Sequence, residues 1–322
     1  MKARLIWLIL CGIWGSTWLF IKLGLADLPP ITFAGLRFVI SCAILFPLVW
    51  TRHLPLPGNR RDWLLLAVTG VLSFSLNYGL VFWAEQYITS GLAALLQATL
   101  PAFGLLLAHI YLPSERITWV KIAGVILGVC GVGVVFSNQL AISGRQALAG
   151  CVAMVLSAFF AAYSNVLVKK HAGKLNPAVI AAVQMLFGLI PLLVVGLASE
   201  GNPFGFRWTA IAVISLLYLA IVGSVIAFLL YYWLMQNMDV TKSMLISLVT
   251  PVVAVILGML VLDEEMSWRT LVGGAMIIAG IGFIVVRKTK SPVTASVTPG
   301  VSDRTSVSTL SRRPGSGAVP GS

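Results

Sequence analysis

The second half of this chain repeats the first, segment by segment, within a sequence that is almost wholly apolar. Trp83 and Gln86 return 150 positions later as Trp233 and Gln236. Pro101, Leu107, Leu112 and Glu115 return as Pro251, Leu257, Leu262 and Glu265. One residue is then lost, so Trp119, Gly124, Gly131 and Gly133 return as Trp268, Gly273, Gly280 and Gly282. Nearer the start the offset is 147, and Lys22, Pro30 and Ala34 return as Lys169, Pro177 and Ala181. Repetition on this scale restricts the fold to two copies of one unit. If each unit crosses a membrane an odd number of times, the second copy must insert upside down relative to the first.

That condition is met. Of 322 residues, 59% are hydrophobic and only 10% charged, whereas soluble domains carry about a quarter charged residues. Apolar runs of about 18 residues or more, each able to cross ~30 Å of hydrocarbon, are expected at ten places. They lie near 5–25, 31–51, 63–84, 88–111, 117–136, 148–169, 178–198, 209–234, 240–262 and 268–286. The expected fold class is an all-α integral membrane protein, with ten transmembrane helices as a five-plus-five inverted structural repeat. Residues 1–140 form the first repeat (helices 1–5) and 141–287 the second (helices 6–10). Residues 288–322 are rich in Ser, Thr, Pro and Gly, cannot bury a core, and are expected to form a disordered cytoplasmic tail.

A formal charge of +12 raises the question of a nucleic-acid partner, and the distribution of the charge argues against one. With the amino terminus in the cytoplasm, fourteen Lys and Arg residues of the helix flanks and loops fall inside. Only Lys22, Arg145, Arg207 and Arg269 fall outside. This is the positive-inside bias of short loops. It predicts a multi-pass protein of a bacterial cytoplasmic (inner) membrane with both termini cytoplasmic, its partners being the lipid bilayer and a small-molecule substrate. The first run resembles a signal peptide, but cleavage there would delete the repeat partner of the sixth helix, so it is read as a retained span. Cys11, Cys42, Cys130 and Cys151 are widely spaced in apolar surroundings, with neither metal-ligand nor disulfide spacing. No metal or cofactor is called for. Only three histidines occur, His53, His109 and His171, without the helical pairing a membrane metalloprotease needs. The chain is therefore not read as an enzyme.

Polar side chains cost energy in hydrocarbon, so those inside the runs mark cavities or partners. Arg37 sits roughly 10 Å into its helix. It either snorkels to the interface or is a buried cation for an anionic substrate group or a gate; its repeat mate is Gln184. Gln97 and Ser247 occupy equivalent places, each four residues before Pro101 or Pro251, and those prolines are expected to kink their helices. Asn77, Tyr78, Tyr163 and Asn165 are further polar candidates for the cavity lining, with Trp14 and Trp18, one turn apart, as an aromatic wall. Trp83 and Trp233 read as interfacial anchors, and Glu115 and Glu265 as acceptors for the amides that open the next helix. Gly124 and Gly128 have the spacing of close helix packing, either between the fifth and tenth helices or across a homodimer. No Asp or Glu is expected deep in a span, Glu85 lying at a helix end, which favours a facilitator or exchanger.

The opening Ile13-Trp14-Gly15-Ser16-Thr17 resembles that of the EamA-type transporters of the drug/metabolite transporter superfamily. So do Arg37, the block from Thr99-Leu100-Pro101 through Glu115 to Gly124, and its copy from Thr250-Pro251 through Glu265 to Gly273. The resemblance covers about residues 5–286. It implies ten helices in an inverted repeat, a central cavity, and export of amino acids or related small metabolites. The sixth helix departs from it, reading Ala161-Ala162-Tyr163-Ser164-Asn165 where the first reads Trp-Gly-Ser. A nucleotide-sugar or sugar-phosphate carrier of the same superfamily, and a non-enzymatic membrane scaffold, are the alternatives.

Overall fold

The computed structural model describes residues 2–111, 119–142, 144–172, 175–237 and 246–286, which lie in one compact unit, Met1–Lys288. The expected tail lies outside the described residues. Among them the secondary structure is helical, with no strand. The helices are α1 (Lys2–Gly24), α2 (Pro30–Thr51), α3 (Arg60–Ala84), α4 (Ser90–Tyr111), α5 (Trp119–Ile142), α6 (Gly144–His171) and α7 (Pro177–Ser199). They continue with α8, formed by Ala210–Leu217, Tyr218–Ile226 and Ala227–Asn237, then α9 (Ile246–Val261) and α10 (Trp268–Val286). Seven of them, α1 to α4 and α6 to α8, are long and apolar enough to cross a membrane. The apolar helices Ile122–Phe136, Val249–Val261 and Trp268–Phe283 are shorter. Residues such as Leu5, Val129, Val194 and Leu260 are exposed on the outside of the bundle, which suits a solvent of lipid tails.

Local chemistry sets the helix starts. Pro30 and Pro177, repeat mates, open α2 and α7, where a residue without N–H loses no helical bond. The side chains of Asn59, Thr89, Asn176 and Thr209 accept from amides of the first turns of α3, α4, α7 and α8. α4 is interrupted at Ala98 and Thr99, just before Pro101, and the Thr99 hydroxyl turns back to the Leu96 carbonyl at 2.7 Å. Pro251 lies within the continuous α9, where the Thr250 hydroxyl bonds the Ile246 carbonyl at 2.7 Å.

Two stretches wind more loosely, as π-helix: Val71–Asn77 in α3 and Tyr218–Ile226 in α8. They fall at matching places in the two halves. The Ser224 hydroxyl reaches the carbonyl of Leu219, five residues back, at 3.0 Å. The wide turn of α3 lies against α7, where a Cβ on Gly70 would sit 2.4 Å from the Gln184 carbonyl oxygen and one on Gly188 2.3 Å from the Cβ of Phe74.

Helices five places apart pair closely. α2 meets α7 with Thr32 against Gly196 and Cys42 against Ala182, so the two run antiparallel. α5 meets α10 in the same way: a Cβ on Gly131 would lie 2.5 Å from the Gly273 carbonyl oxygen, and one on Gly280 2.4 Å from that of Gly124. Gly124 and Gly273 are repeat mates, as are Gly131 and Gly280, so exchanging the halves maps this contact onto itself. The other main contacts obey the same exchange: α1 with α9 matches α6 with α4, and α3 with α6 matches α8 with α1.

Candidate substrate site

α2 carries Arg37 into the middle of the bundle, where it is 1% exposed. Of the two sequence readings, snorkelling and burial, the geometry is that of a buried cation. Its Nε donates to the Ser224 hydroxyl at 2.9 Å and its Nη2 to the Gly223 carbonyl at 3.3 Å, both in the loosened turn of α8. The guanidinium carbon stands 4.8 Å from the centre of the Tyr78 ring and 5.5 Å from that of Phe38, an arrangement that favours a cation out of water. Nη1 has no hydrogen-bond partner. A charge at this depth is costly unless something pairs with it.

Tyr78 is followed backwards along α3 by Asn77, whose side chain points about 100° away into a second polar set. Gln97 donates to Asn77 Oδ1 at 3.2 Å and accepts from the Ser157 hydroxyl at 2.8 Å. Asn77 donates in turn to the Ser73 carbonyl at 3.1 Å. The end of the π stretch thus joins α2, α8, α4 and α6 through two consecutive side chains. An aromatic series runs beside it: Trp14 against Phe228, Phe228 against Phe74, and Phe74 against Tyr78 and Phe38, with ring centres 5.1–6.1 Å apart. Across α1 and α8 the Ser16 and Tyr218 hydroxyls lie 2.6 Å apart, and Tyr218 stacks on Phe20.

The remaining sequence candidates are spread more widely. Gln184 is buried, but it donates to the Thr69 hydroxyl at 2.8 Å, at the crossing of α7 and α3. Trp18 packs, half-buried, against the main core. Tyr163 meets Tyr111, hydroxyl to hydroxyl, at 3.4 Å, near the end of the bundle where Lys170 stands over Tyr111. Asn165 is exposed. The side chain of Ser247 lies outside the described residues, as does Glu115. Sequence reasoning missed Ser157 and Ser224. No repeat pairing singled out Ser224; Ser75, in the other π stretch, sends its hydroxyl to a neighbouring helix, at the Gly188 carbonyl.

The carboxylates depart from expectation. Glu265 is exposed; the acceptor is Glu264, and the helix it caps is α4 rather than the next one. Its oxygens accept from the Ser90 amide at 2.7 Å, the Ser90 hydroxyl at 2.9 Å and the Gly91 amide at 3.2 Å. Glu200, at the end of α7, caps α2 likewise through the amides of Ile31 and Thr32 at 2.8 and 2.7 Å. Glu85, expected at a helix end, is 0% exposed. It follows α3, but Lys22 and the turn after α9, brought there by the fold, enclose it. Read along α3 alone, the position looks peripheral.

The model of the EamA-like transporter family matches residues 2–137 and 148–286. An uncharacterized transporter of Archaeoglobus fulgidus is 30% identical over 283 residues, covering 87% of this chain and 96% of that protein. The uncharacterized inner membrane transporter YedA of Escherichia coli (strain K12) is 28% identical over 302 residues, covering 91% and 94%. A crystal structure of 20% sequence identity covers 88% of this chain and 96% of its own, with a TM-score of 0.64, a likeness of fold alone.

Proposed function

The chain belongs to the EamA-like transporter family and is a multi-pass membrane transporter; from that premise we propose that it exports amino acids or related small metabolites by alternating access. In this reading ten helices form a five-plus-five inverted repeat in the cytoplasmic membrane, with both termini inside. The antiparallel pairing of α2 with α7 and of α5 with α10 supports the inversion. The observation that carries the site is Arg37, a buried cation with Nη1 unpartnered, beside the Asn77, Gln97 and Ser157 set. An anionic group of the substrate pairs with Arg37. The amides hold its polar remainder, and the rings of Tyr78, Phe74, Phe228 and Trp14 flank its apolar part. Arg37 is expected to be an isolated intramembrane cation of this site, which favours a single carboxylate over the several phosphate oxygens of a nucleotide sugar.

Uptake into proteoliposomes, screened across amino acids, nucleosides and sugar phosphates, tests the reading. Saturable uptake of a carboxylate-bearing class, lost in Arg37→Gln, is expected. Preferential transport of sugar phosphates would replace the substrate class, and no uptake of any class would sink the proposal.

A further inference from the structure

At the end of the bundle where α1 and α3 finish and α4 begins, Glu85 occupies the turn that follows α3. It is fully buried, and neither carboxylate oxygen has a hydrogen-bond partner. Lys22 of α1 is the nearest cation, yet its ammonium donates to the main-chain carbonyls of Glu85 and Ile88, not to the carboxylate. Glu264, from the turn after α9, is satisfied by three donors from Ser90 and Gly91. Its carboxyl group faces Lys22. α6 packs on the same turn through Gly150, a residue with nothing to ionise.

A carboxylate without donors in such a place is far less stable than the neutral acid. Burial accordingly holds the Glu85 carboxyl well above the usual carboxylate range, opposed by Lys22, reinforced by Glu264, and opposed more weakly by Arg37. We propose that Glu85 is a proton-binding site that controls how readily this end of the bundle opens. The proton comes from water and returns to it, and no bond but O–H forms or breaks. With Glu85 neutral, Lys22 and Glu264 close the seam between the two halves. With Glu85 ionised, two carboxylates face one ammonium in a dry turn, and separation of the halves lets water reach the surplus charge.

The sign follows from the raised closed-state value. Closure is fully favoured below the ordinary carboxylate value of about 4.3, and it weakens progressively as pH rises from there through the raised value. For transport, this control rests on the alternating-access reading above, whereas its measurement needs no substrate.

Amide exchange of residues 84–92 in the detergent-solubilised full chain, from about pH 3.5 to about pH 9, reads the opening. Comparing wild type with Glu85→Gln at each pH cancels the intrinsic pH dependence of exchange. Equal protection is expected at the acid end, with exchange in wild type at least severalfold faster than in the variant at the alkaline end. Lys22→Gln removes the cation that favours ionisation, so its transition should move to higher pH; that variant serves as the test if Glu85→Gln does not fold. Identical protection of wild type and Glu85→Gln at every pH, or a transition unmoved by Lys22→Gln, overturns the proton site. A pH-dependent seam in a chain that transports nothing would remove the proposed function and leave the proton site standing.

Discussion

Two buried amides of the same chemical type have different surroundings, and this difference can be tested. Gln97 bridges Asn77 and Ser157 beside Arg37, while Gln184 braces the crossing of α7 and α3 through Thr69. Losing one hydrogen-bond partner of a bound polar ligand costs about 1–3 kcal/mol, or roughly five- to more than a hundredfold in affinity. Gln97→Ala should therefore raise the KM for the transported substrate by such a factor at near-normal thermal stability. Gln184→Ala should lower thermal stability and leave KM unchanged. Transport kinetics and a melting curve on both variants check this, and the opposite assignment would move the site toward α7. Arg37→Lys keeps the charge but loses the planar fork that reaches both Ser224 and Gly223, and its transport should fall with Gln97→Ala rather than follow Gln184→Ala. Arg37 and Gln97 were legible from sequence because a charge or an amide in an apolar run is conspicuous. Ser157 and Ser224 were not, because a serine in a helix can satisfy itself on its own preceding turn, as Ser157 also does at the Met154 carbonyl.

At the scale of elements, the apolar runs located the helices well, since a backbone in lipid has little choice but to bond within itself. The π stretches in α3 and α8 left no mark in that pattern: one extra residue in a turn changes neither composition nor apolar length. They coincide with close tertiary crossings at Gly70, Gly188 and Gly223. The glycines of α5 and α10 were visible as a stripe, but only the structure separates those where an added Cβ would collide from those where it would not. A Cβ at position 131 would lie 2.5 Å from a main-chain oxygen, whereas one at 128 or 133 meets nothing within 4 Å. Gly131→Ala should thus destabilise the protein by about 1–3 kcal/mol, and Gly128→Ala should be close to neutral. Thermal unfolding in detergent measures both, and equal effects would show that α5 and α10 adjust to each other freely.

At the scale of the whole molecule, the proposed topology gives a handed insertion that follows from charge. In that topology Lys and Arg crowd one set of loops, and five crossings per half would put equivalent turns on opposite faces. With Cys130 replaced by Ala, Ser267→Cys should react with an impermeant thiol reagent in intact cells. Ser114→Cys should react only after the membrane is opened. Labelling of both from outside would end the inverted arrangement. The duplication itself was readable from sequence, because it is recorded in the residues, and the family model matches once in each half. The enclosure of Glu85 was not, because Lys22 and Glu264 reach it from positions 63 residues before it and 179 after it.

The reciprocal seam between α5 and α10 also bears on how the chain is made. α5 leaves the ribosome with its glycine face bare, and the surface that covers it is the last helix described. At about 5–20 residues per second, the wait is on the order of ten seconds, spent beside lipid, translocon or chaperone. The first half thus enters the membrane as an unfinished surface that waits for its docking partner.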